Sequence, residues 1–367
     1  MSVYTHDNRI VMTLDAGGTN FVFSAIQANN EIVEPFCLPA YPDDLEKCLN
    51  TLIDGFTHVK DQLPAMPVAI SFAFPGPADY KNGIIGDLPN FPSFRGGVPL
   101  GPFLQEHFKI PVFINNDGNL FAYGEALAGA LPALNERLRA NGCNRVYQNL
   151  VGITFGTGFG SGIVVNRRLL TGDNHCGGDV WVFRNKLYPG KIAEESVSAR
   201  ALVRVYNEFA KTKDRSLTPK EIFAIAEGEK EGDKQAAITS FTQFGEVAGD
   251  AIAHLLTFTD GIVVIGGGII GAAKYIMPSL MKELHSSLAT FDGNTFPRLQ
   301  MDVIDPENVR QFGQLISDKS IPLAVPGSNK TVSYNPNKKT VIMKTLLGTS
   351  KAVSLGAYSY ALSMLDN

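Results

Sequence analysis

Two adjacent polar side chains, Asn116 and Asp117, stand where the apolar run PVFINN (111–116) gives way to a helical pattern over about 119–129. A carboxylate there can accept the proton of an alcohol while the neighbouring asparagine orients that alcohol, and phosphoryl transfer needs both. Strand-to-helix turns are also where ligand-facing side chains gather in α/β sheets. Read without chemistry, Asp117 is a helix N-cap. Read as a base, it is expected to stay ionised at neutral pH through the positive end of the following helix.

Two glycine-rich turns flank this pair. Asp15-Ala16-Gly17-Gly18-Thr19-Asn20 lies between apolar runs at 10–14 and 21–26, where glycine permits positive φ and leaves amides open to a phosphate oxygen. Asp15 could then hold Mg²⁺ through water, although the segment reads equally as an ordinary glycine hairpin. Thr154-Phe155-Gly156-Thr157-Gly158-Phe159-Gly160-Ser161-Gly162 repeats the logic, with Thr157 and Gly158 available to a second phosphate. Such a pair of turns at equivalent places suggests a nucleotide clamped between two lobes. Gly266-Gly267-Gly268 follows IVVI, where Gly267 and Gly268 let the backbone approach an adenine or ribose; many strand-to-helix turns use glycine for packing alone.

Periodicity places the elements that carry these turns. Apolar residues of 43–63 fall at i, i+3, i+4 and predict a helix, and PVAISFAF (67–74) predicts a buried strand. The second half opens likewise, with strands at 150–155 and 162–166, helices at about 194–210, 218–227 and 234–258, a strand at 261–267 and a helix at about 272–288. The stretch TVSYNPNKKTVIM within 305–347 reads as a surface β-hairpin, and 351–364 as a closing helix.

At 367 residues the chain has room for two lobes, and a formal charge of -4 disfavours nucleic acid as an obligatory partner. No signal-like start or membrane-length apolar run occurs, so a cytoplasmic location is expected. The scattered Cys37, Cys48, Cys143 and Cys176 read as reduced thiols.

In this order, and over essentially the whole chain, DAGGTN, PGPAD (75–79), LPNF (88–91), NNDGN, GTGFGSG and GIVVIGGG resemble the motifs of the ROK family of sugar kinases and sugar-responsive repressors, within the hexokinase, actin and Hsp70 superfamily. The resemblance implies an α/β, two-lobed actin-like ATPase (ribonuclease H-like) fold with nucleotide and sugar in the interlobe cleft. It divides the chain into a small lobe, 1–122 plus 351–367, and a large lobe, 123–350. ATP and Mg²⁺ are the implied cofactors, a hexose the substrate, and a homodimer the assembly.

By the same resemblance Asp117 is the general base, Asn116 and Asn90 hold sugar hydroxyls, and Glu194 in KIAEESVSARAL matches a sugar-binding glutamate. Alone, Glu194 reads as a solvated helix carboxylate and Asn90 as a turn residue after Pro89. The family's Gly-Glu and following Gly-His pairs are altered here to Gly178-Asp179-Val180-Trp181-Val182, so Asp179 replaces the glutamate with a shorter reach and Val182 stands where a histidine is expected. His175 is nearby and reads as a surface residue. The family's cysteine-rich loop is replaced by Arg184-Asn185-Lys186-Leu187-Tyr188-Pro189-Gly190-Lys191, so no structural zinc is expected. Too little chain precedes Asp15 for a helix-turn-helix module, which disfavours DNA binding. A hexose kinase, with C6 of glucose the first candidate, and a sugar sensor without turnover are the two readings.

Overall fold

The first strand, β1 (Val11–Ala16), turns Met12 and Leu14 into one buried cluster and Val11 into another, so both faces of its sheet are covered. The computed structural model describes residues 2–88, 91–214, 216–317 and 320–367. After β1 come β2 (Asn20–Gln27), β3 (Asn30–Glu31), β4 (Phe36–Pro39), α1 (Leu45–Asp61), β5 (Ala69–Ala73), β6 (Ala78–Asp79), β7 (Ile84–Ile85), α2 (Leu100–Phe108), β8 (Val112–Asn115) and α3 (Asp117–Leu127). Next are α4 (Ala130–Ala140), β9 (Leu150–Phe155), β10 (Phe159–Val165), β11 (Arg168–Leu169), α5 (Ala199–Ala210), α6 (Pro219–Glu227), α7 (Lys234–Thr259), β12 (Ile262–Gly266) and α8 (Ala273–Leu284). The chain closes with β13 (Ser287–Ala289), β14 (Thr295–Pro297), β15 (Asp302–Ile304), α9 (Val309–Ile316), β16 (Ile321–Ala324), β17 (Thr331–Tyr334), β18 (Lys339–Lys344) and α10 (Thr349–Leu365).

Two compact units result: Met1–Ala133 with Ser161–Gly178 and Thr345–Asn367, and Leu134–Gly160 with Asp179–Lys344. The first holds a sheet in the order β3-β2-β1-β5-β8, with β4 also on β2. β1 is antiparallel to β2 and parallel to β5, which is parallel to β8. Two short strands, β3 and β4, both pair with β2. On one face α1, capped by Asp44, buries Cys48, Leu52, Phe56 and Val59; Phe56 meets Phe23 edge-on at 5.1 Å.

On the other face α10 packs Leu355, Tyr358, Ala361 and Leu362 against Val11, Ile26 and Ala69. It also runs against α3 with the backbones touching. A Cβ on Gly124 would lie 1.9 Å from the Ala352 carbonyl oxygen, and one on Gly356 1.8 Å from that of Leu120. Only glycine fits at this crossing. Near the last turn of α3 the buried Glu125 carboxylate accepts hydrogen bonds from the amides of Ala130 (2.7 Å) and Leu347 (3.4 Å) and from the Thr345 hydroxyl. Burial raises its carboxyl above the usual range.

The second unit is built on a parallel ladder in the order β9-β12-β18-β15, whose central β12 is buried throughout. Its helix α6 begins with a Thr218/Glu221 capping box and Pro219 and ends at Gly228. The helix expected from about 194 begins instead at Ala199, because Ser198 caps it by accepting from the Ala201 amide. The expected hairpin of TVSYNPNKKTVIM is corrected as well. β17 pairs with β16, while β18, with Val341–Met343 buried, joins the main ladder between β12 and β15. Among the described residues no helix is long and apolar enough to cross a membrane.

Candidate active site

Within the first unit, β8 ends at Asn115 and α3 begins at Asp117, so the catalytic candidates sit on the turn between them. Asn116 is the N-cap, its side chain accepting from the Asn119 amide at 3.1 Å. The buried Asn115 Oδ1 accepts from the Asn116 amide (2.8 Å) and from Asn119 Nδ2 (3.0 Å), which braces the turn from beneath. Asp117 Oδ1 accepts from the Gly118 amide at 2.8 Å, while Oδ2 has no partner among the described residues. A Cβ on Gly118 would lie 2.6 Å from the Ser161 carbonyl oxygen, so the start of β10 abuts this turn.

The helix end does not act alone on Asp117. Surrounding protein displaces water and raises its carboxyl above the ordinary value, with the amides of Gly118 and Asp117 itself opposing. The side chain still reaches solvent, which limits that rise. A base works only when deprotonated, so kcat/KM should fall as pH drops through the raised pKa. The acid limb is therefore expected above about pH 4, where an unperturbed aspartate titrates. A pH profile with its limb at or below that value would contradict the assignment.

Asp15 lies at the exposed end of β1, followed by Gly17, Gly18 and Thr19, with Asn20 opening β2. The amides of Gly17, Gly18 and Thr19 find no acceptor among the described residues, and the Asp15 carboxylate has no ion-pair partner there. In the second unit the Gly156 amide donates to the Gly158 carbonyl (3.1 Å), leaving those of Thr157 and Gly158 without acceptors among the described residues. Gly267 has φ +90°, and a Cβ on it would stand 2.1 Å from the Phe155 carbonyl oxygen. That positive φ and close approach bring the strand-to-helix turn of Gly267 and Gly268 against the end of β9.

Glu194 belongs to a separate 3-10 turn (Ala193–Glu195), not to the helix expected there. Its Oε2 accepts from the Phe159 amide at 3.0 Å and its Oε1 pairs with Arg200 at 2.8 Å. The carboxylate thus rests on the second glycine turn, 2.6 Å from where a Cβ on Gly158 would stand, and is not a solvated helix carboxylate. Asp179 precedes another 3-10 turn (Val180–Val182) but caps no backbone amide. Burial raises its carboxyl, and a hydrogen bond with the Trp181 side chain lowers it. Val182 is exposed, and Asn90 lies outside the described residues.

Sequence reasoning missed Asn115 and Arg200. The spacing of Asn115 and Asn119, four apart across a helix start, was a readable signal for the first; the Arg200 pairing depends on the Glu194 turn and left none. Among the described residues no group of three or more His, Cys, Asp and Glu could hold a metal ion.

A two-unit α/β body, with glycine turns after β1 and β9 and a strand-to-helix carboxylate, is the two-lobed actin-like ATPase (ribonuclease H-like) arrangement that sugar kinases of known structure share. The ROK family profile matches residues 11–304, and the chain belongs to the ROK family. It is 53% identical to the crystal structure of glucokinase from Parabacteroides distasonis, over 98% of this chain and 99% of that one, with a TM-score of 0.87. It is 28% identical over 296 residues to the glucokinase of Thermotoga maritima, spanning 73% of this chain and 88% of the relative. The N-acetyl-D-glucosamine kinase of Vibrio cholerae is 26% identical over 273 residues, spanning 70% and 83%.

Proposed function

We propose that this protein transfers the γ-phosphoryl group of ATP to a hydroxyl of a hexose, C6 of glucose being the first candidate. The observation that carries the reading is Asp117: a carboxylate raised in pKa, fixed on a braced turn, with one oxygen uncommitted. The glucokinase likeness supports it independently. Oδ2 accepts the proton of the sugar hydroxyl as that oxygen bonds to the γ-phosphorus and the bond to the β-phosphate oxygen breaks, releasing ADP. Asn116 Oδ1 is occupied by its capping bond, so Nδ2 is the atom left to orient the hydroxyl.

The open amides of Gly17 to Thr19 and of Thr157 and Gly158 suit phosphate oxygens, and Gly267 and Gly268 suit the adenosine. One unpaired carboxylate, Asp15, fits Mg²⁺ held mainly by nucleotide phosphates and water, because that ion needs few protein ligands. Bound there, the ion would offset phosphate charge. The cytoplasm, where ATP is supplied, is the location proposed with this reaction. ADP release, followed with a coupled assay across a panel of hexoses, tests the proposal; sugar binding without turnover would instead favour a sensor.

Asp179 is proposed to accept hydrogen bonds from sugar hydroxyls beside Trp181. Asp179→Ala would leave those hydroxyls unpaired, at about 1 to 3 kcal/mol. It should raise the sugar KM and leave the ATP KM unchanged in steady-state kinetics. Unchanged sugar kinetics with a lower melting temperature would make Asp179 structural.

A further inference from the structure

Residues 184–192 close on themselves in the second unit. Arg184 bridges Ile192, the Asn185 amide donates to the Lys191 carbonyl (2.9 Å), and the Ala193 amide donates to that of Phe183 (2.7 Å). At the centre is Asn185, with 0% of its surface exposed. Its Oδ1 accepts from the amides of Leu187 (3.0 Å) and Tyr188 (3.1 Å). Its Nδ2 donates to Ser196 Oγ (2.8 Å) and to the Ile192 carbonyl (3.2 Å). Both donors and both acceptor positions of the amide are therefore used.

The two Nδ2 partners decide what this network does. Ile192 is the N-cap and Ser196 the C-cap of the 3-10 turn that carries Glu194. A single side chain grips both ends of a three-residue turn. Next to it, Lys186 forms ion pairs with Glu246 (2.7 Å) on α7 and Glu283 (2.6 Å) on α8, anchoring the loop to long helices. Glu194 in turn reaches the Phe159 amide with Oε2.

We infer that Asn185, acting through Ile192 and Ser196, is the positioning residue for the Glu194 carboxylate and so sets sugar affinity. This rests on the reading of Glu194 as a sugar ligand. A carboxylate that must meet hydroxyls within tenths of an ångström needs support from groups that are themselves locked, and a fully bonded buried amide supplies it. Asparagine is required because the site asks for two donors and two acceptors at once, which serine, aspartate or histidine cannot offer.

Ser196→Ala removes one Nδ2 acceptor with little change in volume. The sugar KM is expected to rise about tenfold, the scale of one buried hydrogen bond left unmade, with kcat and the ATP KM within about twofold of wild type. In a Glu194→Gln background the same change should add nothing to the sugar KM, because the two act as one unit. A lower melting temperature with an unchanged sugar KM, or the full tenfold rise in the Glu194→Gln background, overturns the inference. If Glu194→Gln alone leaves the sugar KM unchanged, the reading of Glu194 fails first and carries this one with it. Turnover in the unsubstituted enzyme remains the separate measure of the kinase assignment.

Discussion

Asp117→Asn should lower kcat by roughly 10² to 10⁴ while sugar binding and melting temperature stay close to those of the unsubstituted protein. The amide has the shape of the carboxylate, and its oxygen can keep the bond from the Gly118 amide. What it loses is the ability to take a proton at Oδ2. Because Asn115 and Asn119 brace the turn independently of the Asp117 side chain, the substitution should not disturb the backbone. The loss therefore belongs to kcat rather than KM. Coupled ADP release gives kcat, and calorimetry gives sugar affinity and melting; near-normal kcat would remove Asp117 from the role of base.

The largest expected stability loss comes from Gly356→Ala. A methyl group there would stand 1.8 Å from the Leu120 carbonyl oxygen, on the backbone of the helix that carries Asp117. No rotamer change can relieve contact with backbone, so α3 and α10 must separate and reopen the cluster of Leu355, Tyr358 and Leu362. Overpacking ordinarily costs about 1 to 3 kcal/mol and occasionally more, and this site belongs at or above the top of that range. In a protein of this size ~3 kcal/mol is a fall of about 4 °C. Gly271→Ala, which meets nothing within 4 Å and has no positive φ, is the control and should melt normally. Thermal unfolding of both variants decides the matter, since equal melting points would mean the crossing is looser than described.

These two sites differ in how legible they are. The glycine turns and NNDGN announce themselves because turn chemistry and helix capping are local, and α6 and α7 were read nearly to their ends for the same reason. Gly124 and Gly356 carry no local signal, since each is needed only for a helix met far along the chain. The bounds of α2 could not be read because Pro99 and Pro102 look like loop punctuation, although proline is tolerated in a first helical turn. The start of α5 was misplaced because Glu194 and Glu195 resemble a first helical turn, whereas Ser198 is the residue that caps. β17 and β18 were joined wrongly because alternation shows that a strand exists and not which neighbour it takes.

The Glu125 clamp has a consequence for synthesis on the ribosome. Thr345 lies 220 residues beyond the carboxylate it binds, and α10, which covers α3, β1 and β5, comes later still. The intervening stretch contains all of the second unit, which can finish first. At about 5 to 20 residues per second, the nascent α3 waits on the order of 10 to 40 s for its partner. During that interval Val11, Ile26 and Ala69 lack their covering helix, and the glycine face of α3 lies open. A ribosome stalled ahead of α10 would therefore hold out a sheet with one apolar face uncovered, a natural substrate for chaperones.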